Sequence, residues 1–175
     1  RSAGSVYDLA LALLVVTGRR CGEILNGRSD FRALATPYRG SGAHATGGGA
    51  PQHQCIFSGQ LKQQRGGSQY RIPLLASLGL VQGALAELRR RQCDDIHTMD
   101  NDAVSRRYQS ELRKRLRTQG AVYQGLHRPH QLRALYACAA HQYFDVGDTA
   151  LPFFTQRVLG HTHIKEADVY NALQV

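Results

Sequence analysis

The 175-residue sequence predicts a mixed α+β fold, mainly helical, with a small antiparallel β-sheet or hairpin set against the helices. Apolar residues recur at helical spacing in several separate stretches. Only two short runs, Gln54 to Leu61 and Tyr70 to Leu74, read as strands, with Arg65-Gly66-Gly67-Ser68 as the turn between them. The length suits one domain, residues 1–175, by the usual scale of roughly 100–200 residues per domain.

Ser5 and Asp8 make a capping-box-like start. Val6, Leu9, Ala10, Leu13, Leu14 and Val16 then form a broad apolar stripe, so a buried helix is expected over 6–17, broken by Gly18. A short helix is expected from Arg20 to about Gly27, with Glu23 holding an arginine or capping its start. Residues 39–50 are glycine-rich and read as a loop. Pro73 cannot donate to a ladder, which puts the second strand at a sheet edge.

Val81, Leu85 and Leu88 predict a helix over 77–92. Val104, Tyr108, Leu112 and Leu116 repeat every four residues, predicting another over 101–118. Its remaining faces carry Arg106, Arg107, Arg113, Lys114, Arg115 and Arg117. Pro129 opens a core helix that runs to about Phe144, with His130 and Arg133 sharing one face of its first turn. Pro152 opens the next helix and Gly160 closes it. His161 falls in a tight turn, and a last short helix is expected to present Tyr170.

Lys plus Arg is 22 against 13 for Asp plus Glu, a net charge of +9, which points to a polyanionic partner. No run approaches the roughly 18 apolar residues of a membrane span, and no signal-peptide pattern is present. Cys21, Cys55, Cys93 and Cys138 are widely spaced without a Cys-x-x-Cys pair, as expected of reduced cytosolic thiols. His161 and His163 lack a neighbouring pattern to complete a zinc site, so no metal or other cofactor is expected. The first residues read as the start of an excised piece of a longer protein.

A chemical set emerges in chain order: Arg20, Lys62, His130, Arg133, His161 and Tyr170. It suits metal-free attack on a DNA phosphodiester. Two guanidiniums, Arg20 and Arg133, can grip a phosphate in fork geometry. Tyr170 is the candidate nucleophile, His130 its base, Lys62 the acid for the leaving 5′-oxygen, and His161 a phosphate donor. Arg19, Arg65, Arg106, Arg107, Arg113, Lys114 and Arg117 are candidate DNA contacts.

Thr17-Gly18-Arg19-Arg20 with Glu23, His130-Gln131-Leu132-Arg133, and Leu159-Gly160-His161 with Tyr170 nine residues later form an ordered set. This set resembles the catalytic domain of tyrosine recombinases. The doubled arginine, Phe57-Ser58-Gly59-Gln60-Leu61-Lys62, Tyr70-Arg71-Ile72-Pro73, Leu132 to Ala137, and Phe153-Phe154 are similar to one branch, the protelomerases or hairpin telomere resolvases. The resemblance implies a tyrosine recombinase-like fold and a 3′-phosphotyrosine intermediate. It further implies a homodimer on double-stranded DNA at an inverted-repeat site, closed hairpin ends as product, and a nucleoid-associated enzyme encoded by a bacterium, phage or plasmid. It also implies a longer parent with an N-terminal DNA-clamping domain. Site-specific recombination or integration, a DNA-binding module that does not cut, and RNA binding are the competing readings. Aromatic residues show no stacking pattern that would favour RNA.

Overall fold

The computed structural model describes residues 5–35, 53–61, 69–92, 94–118, 125–145 and 149–160. Its elements run α1 (Val6–Thr17), α2 (Cys21–Leu25), β1 (Asp30–Arg32), β2 (Gln54–Ser58), β3 (Tyr70–Pro73), α3 (Leu78–Arg91), a short 3-10 helix (Asp94–His97), α4 (Asn101–Thr118), α5 (Pro129–Phe144) and α6 (Leu151–Leu159). Mainly helical with one small antiparallel sheet, this is the predicted fold class. None of the described helices is long and apolar enough to cross a membrane.

α1 is the central helix. Ser5 and Asp8 form the expected capping box, the Ser5 amide donating to Asp8 Oδ2 at 2.9 Å. Ala10, Leu11, Leu13 and Leu14 are buried, and α1 packs against α2, α3, α4 and α5. Being covered on several sides explains why its sequence is apolar nearly all round. Gly18 ends it in the left-handed conformation (φ 63°), where an added Cβ would lie 2.0 Å from the Tyr136 ring.

The sheet has the order β1-β2-β3, with both pairings antiparallel. Phe31 pairs with Phe57, and Cys55 with Ile72, so these four side chains share the buried face. Pro73 lies on edge strand β3, as expected. Two details differ from expectation. β1 was not anticipated, since Asp-Phe-Arg has one apolar residue flanked by charges. β2 stops at Ser58 rather than continuing to Leu61, because Gly59 turns at φ 96°, where an added Cβ would meet the Arg28–Ser29 backbone at 2.7 Å.

α4 buries Val104, Tyr108, Leu112 and Leu116, as their spacing requires. Arg115 on its flank bonds Asp8 at 2.6 Å and lies over the Tyr7 ring, tying α4 to the start of α1. α5 opens on Pro129, and Gln131 Oε1 accepts from the amides of His127 and Arg128 at 2.8 Å. A second apolar cluster, including Tyr136, Ala140, Phe154 and Val158, joins α5 to α6. The end of α1, the start of α2, the end of β2, the start of α5 and the end of α6 thereby converge on one region.

Candidate active site

The Thr17–Arg20 turn organises this region. Arg19 is 1 % exposed. Its Nε donates to Thr17 O at 3.0 Å, and its two Nη groups donate to Tyr70 Oη and Val158 O. Its guanidinium carbon lies 4.8 Å from the Phe57 ring centroid. The expectation that Arg19 contacts DNA is therefore corrected: its donors are used inside the fold, beneath the sheet.

Arg20 points the other way, with its side chain 25 % exposed. Glu23, fully buried, holds it twice: Oε2 accepts the Arg20 amide at 2.8 Å and Oε1 the Arg20 Nη1 at 3.0 Å. The same Oε1 accepts the Leu61 amide at 3.1 Å, while Arg20 Nη1 also donates to Leu61 O at 3.1 Å. Glu23 thus has the arginine-holding and capping role expected of it. It also anchors the residue that immediately precedes Lys62.

Arg133 is 2 % exposed and bridges two distant segments. Nη1 donates to Gly18 O and Nη2 to Leu159 O, both at 2.6 Å. It joins the turn that carries Arg20 to the Leu159-Gly160 end of α6. A guanidinium has five N–H donors, and these two bonds use two of them.

His130 stands one helical turn before Arg133, on an exposed position. Partial burial of its ring, then the positive charges of Arg133 and Arg20, hold its pKa below the usual histidine value. Arg20, His130 and Arg133 therefore share one electrostatic neighbourhood. A neutral imidazole there can accept a proton at neutral pH.

The other three members of the predicted set, Lys62, His161 and Tyr170, lie outside the described residues, as does Arg65. Their chain neighbours are held. Gln60 Nε2 donates to Gly160 O at 2.7 Å, so the approach to Lys62 is tied to the approach to His161. Gly160 has φ 65°, and a Cβ there would meet Gln60 and Tyr70 at under 3 Å. Gln60 and Tyr70, which the sequence offers only as members of the two strand motifs, also bear on the site. Tyr70 is placed by its pairing with Phe57 across β2 and β3, and Gln60 by its bond to Gly160 O. Burial raises the pKa of Tyr70, leaving it a neutral hydroxyl.

Among the candidate DNA contacts on α4, Arg106, Arg107, Lys114 and Arg117 are exposed and Arg113 is half-buried. Arg107 also pairs with Asp95 at 2.8 Å. Arg113 and Arg117 line a cleft of about 490 Å³ together with His127 and Arg128, the residues leading into α5. His127 and Arg128 add to the basic face and carry no periodic signal that sequence reading could use. Among the described residues, no three His, Cys, Asp or Glu side chains gather into a metal-binding group.

The family described as the telomere resolvase ResT/TelK catalytic domain matches residues 2–172. Among solved structures, the chain superposes on protelomerase TelA covalently complexed with substrate DNA, with a TM-score of 0.76 and 24% identity. That match covers 97% of this chain and 53% of TelA, so the chain spans about half the length of that relative. Protelomerase TelK complexed with substrate DNA gives a TM-score of 0.67 at 20% identity, covering 95% of this chain and 32% of TelK. The site-specific recombinase XerH bound to difH substrate, a pre-cleavage complex, gives 0.56 at 14% identity, covering 94% and 42%. These structural likenesses are likenesses of fold. No curated protein matches the chain in sequence.

Proposed function

The chain belongs to the telomere resolvase ResT/TelK catalytic-domain family, and from that premise we propose that it breaks and rejoins DNA strands through a tyrosine–DNA intermediate, converting replicated telomeres into covalently closed hairpin ends. The observation that carries this reading is Arg133. One buried guanidinium ties the turn bearing Arg20 to the Leu159-Gly160 step that leads into His161. That joint brings Arg20, Arg133 and the approach to His161 together, as a shared phosphate site requires.

In the proposed step, Tyr170 Oη attacks the scissile phosphorus and gives its proton to the His130 imidazole. The bond from phosphorus to the 5′-oxygen breaks, and that oxygen takes a proton from the Lys62 ammonium. Arg20 and Arg133 neutralise charge on the non-bridging oxygens as it shifts in the transition state, with His161 donating beside them. The 3′-phosphotyrosine conserves the ester, so a 5′-hydroxyl from the complementary strand can displace the tyrosine and close a hairpin. The scheme draws its charge neutralisation from guanidiniums and is metal-independent.

The substrate is double-stranded DNA carrying an inverted repeat, acted on by a homodimer whose two-fold axis matches the repeat. The basic face of α4, with Arg106, Arg107, Arg113, Lys114 and Arg117, supplies backbone contacts, joined by Arg65 and by the cleft at His127 and Arg128. Incubation with an inverted-repeat duplex from the protein's own replicon, with a chelator present, followed by a denaturing gel, tests the reading. Snap-back hairpins that vanish with Tyr170→Phe are expected. Exchange between two duplexes without hairpins would place the protein with the site-specific recombinases. Binding without any covalent adduct would leave a non-cutting DNA-binding module.

A further inference from the structure

Arg19 and Arg20 are adjacent in sequence and opposed in space. Arg20 leaves the turn toward Glu23 and the end of β2. Arg19 turns inward, to acceptors from three elements: Thr17 O at the end of α1, Tyr70 Oη on β3 and Val158 O on α6. Its own amide lies 3.4 Å from Thr17 Oγ1, which in turn donates to Leu13 O at 2.6 Å.

Sealing a cation in the interior carries a desolvation penalty that an apolar residue of similar volume avoids. Arg19 also lies beside the other buried guanidinium. Arg133 holds Gly18 O and Leu159 O, each the chain neighbour of an acceptor used by Arg19. Between them, the two arginines bind consecutive carbonyls at both places, Thr17 and Gly18 on the turn, Val158 and Leu159 on α6. The turn and the end of α6 are thereby stitched together twice. Arg20 departs from this turn and Arg133 enters it from α5, so the separation of their guanidiniums follows the shape of the turn.

We infer that Arg19 is a positioning residue for the phosphate grip: its buried guanidinium locks the Thr17–Arg20 turn against α6 and β3 and so sets the spacing of Arg20 and Arg133. The inference rests on the proposed cleavage reading for its consequence in catalysis, and on the fold alone for its consequence in geometry.

Arg19→Lys keeps the charge but cannot span three acceptors with a planar fork. Tyr70→Phe removes one hydroxyl and leaves Arg19 in place, and it serves alone if Arg19→Lys fails to fold. His130 is the reporter, because its imidazole is held down first by burial and then by both guanidiniums. Titrated by NMR in the full chain without DNA, His130 in the variants is expected to move up toward the ordinary histidine value as the two charges shift. On a duplex that wild type cleaves, single-turnover cleavage is expected to slow by about 10–100-fold, the cost of a misplacement of roughly 1 Å. DNA affinity should stay within about twofold. The defect should shrink on a duplex whose scissile phosphate is a methylphosphonate, which lacks the charge that Arg20 and Arg133 neutralise. Folded variants with an unchanged His130 titration, or with equal slowing on both duplexes, overturn the inference. A wild-type protein that forms no adduct on any duplex overturns the cleavage reading, and the His130 titration still decides the role of Arg19.

Discussion

The interior at Arg19 and Arg133 and the outer face of α4 use the same side chain in opposite ways. Inside, each guanidinium is less than 3 % exposed and bonds backbone carbonyls whose direction is fixed by helix ends and turns. On α4, Arg106 and Arg117 project into solvent, where an attraction to phosphate is shared with many rotamers and screened by salt. A carbonyl partner fixes position, whereas an open surface supplies charge. The difference teaches that arginine count predicts polyanion affinity but not geometry. Geometry comes from which guanidiniums the fold takes out of water.

The comparison is broken most severely at Arg133. Under the proposed scheme, Arg133→Ala should abolish cleavage, by about 10³-fold or more, because that scheme makes it a transition-state donor. It should also strand two buried carbonyls, at about 1–3 kcal/mol each, visible as a lower Tm. Arg20→Ala should slow single-turnover cleavage by about 10²–10³-fold, with a much smaller fall in Tm, since Arg20 is partly exposed and Glu23 keeps its bond to the Leu61 amide. Equal thermal losses in the two variants would contradict the division between interior and surface. Next in size, Arg113→Ala with Arg117→Ala should weaken DNA binding at low salt and reduce the slope of log K against log salt by about 1 per residue. The cleavage rate of the bound complex should be unchanged. The smallest effect is with pH. The depressed pKa of His130 keeps it neutral to lower pH than an ordinary histidine, so cleavage should be lost only below the usual histidine range. A rate that falls at or above that range would remove His130 from the role of base.

Where periodicity is strict, the sequence is a reliable guide. α4 occupies 101–118 and α5 begins at Pro129, where a four-residue apolar repeat suits one helix face and a proline is tolerated in a first turn. β1 escaped notice because a three-residue strand leaves no alternation to detect. At the site, the motifs name Arg20, His130 and Arg133, and the fold brings all three to one neighbourhood. Arg19 is the instructive error. Its charge is visible in the sequence, but its burial follows from Tyr70 and Val158, 51 and 139 residues away. The Gln60 bond to Gly160 and the place of His127 in the cleft escape for the same reason, since both depend on contacts between distant segments.

The bond from Arg133 to Gly18 O spans 115 residues of chain, and the bond to Leu159 O a further 26. Contacts of such separation carry the loop-closure entropy of the chain between them. A chain still emerging from the ribosome has its first arginine long before the helix end that completes the grip. The joint between the turn and α6 is therefore a property of the finished fold, and truncated or half-folded copies carry the basic surface without it.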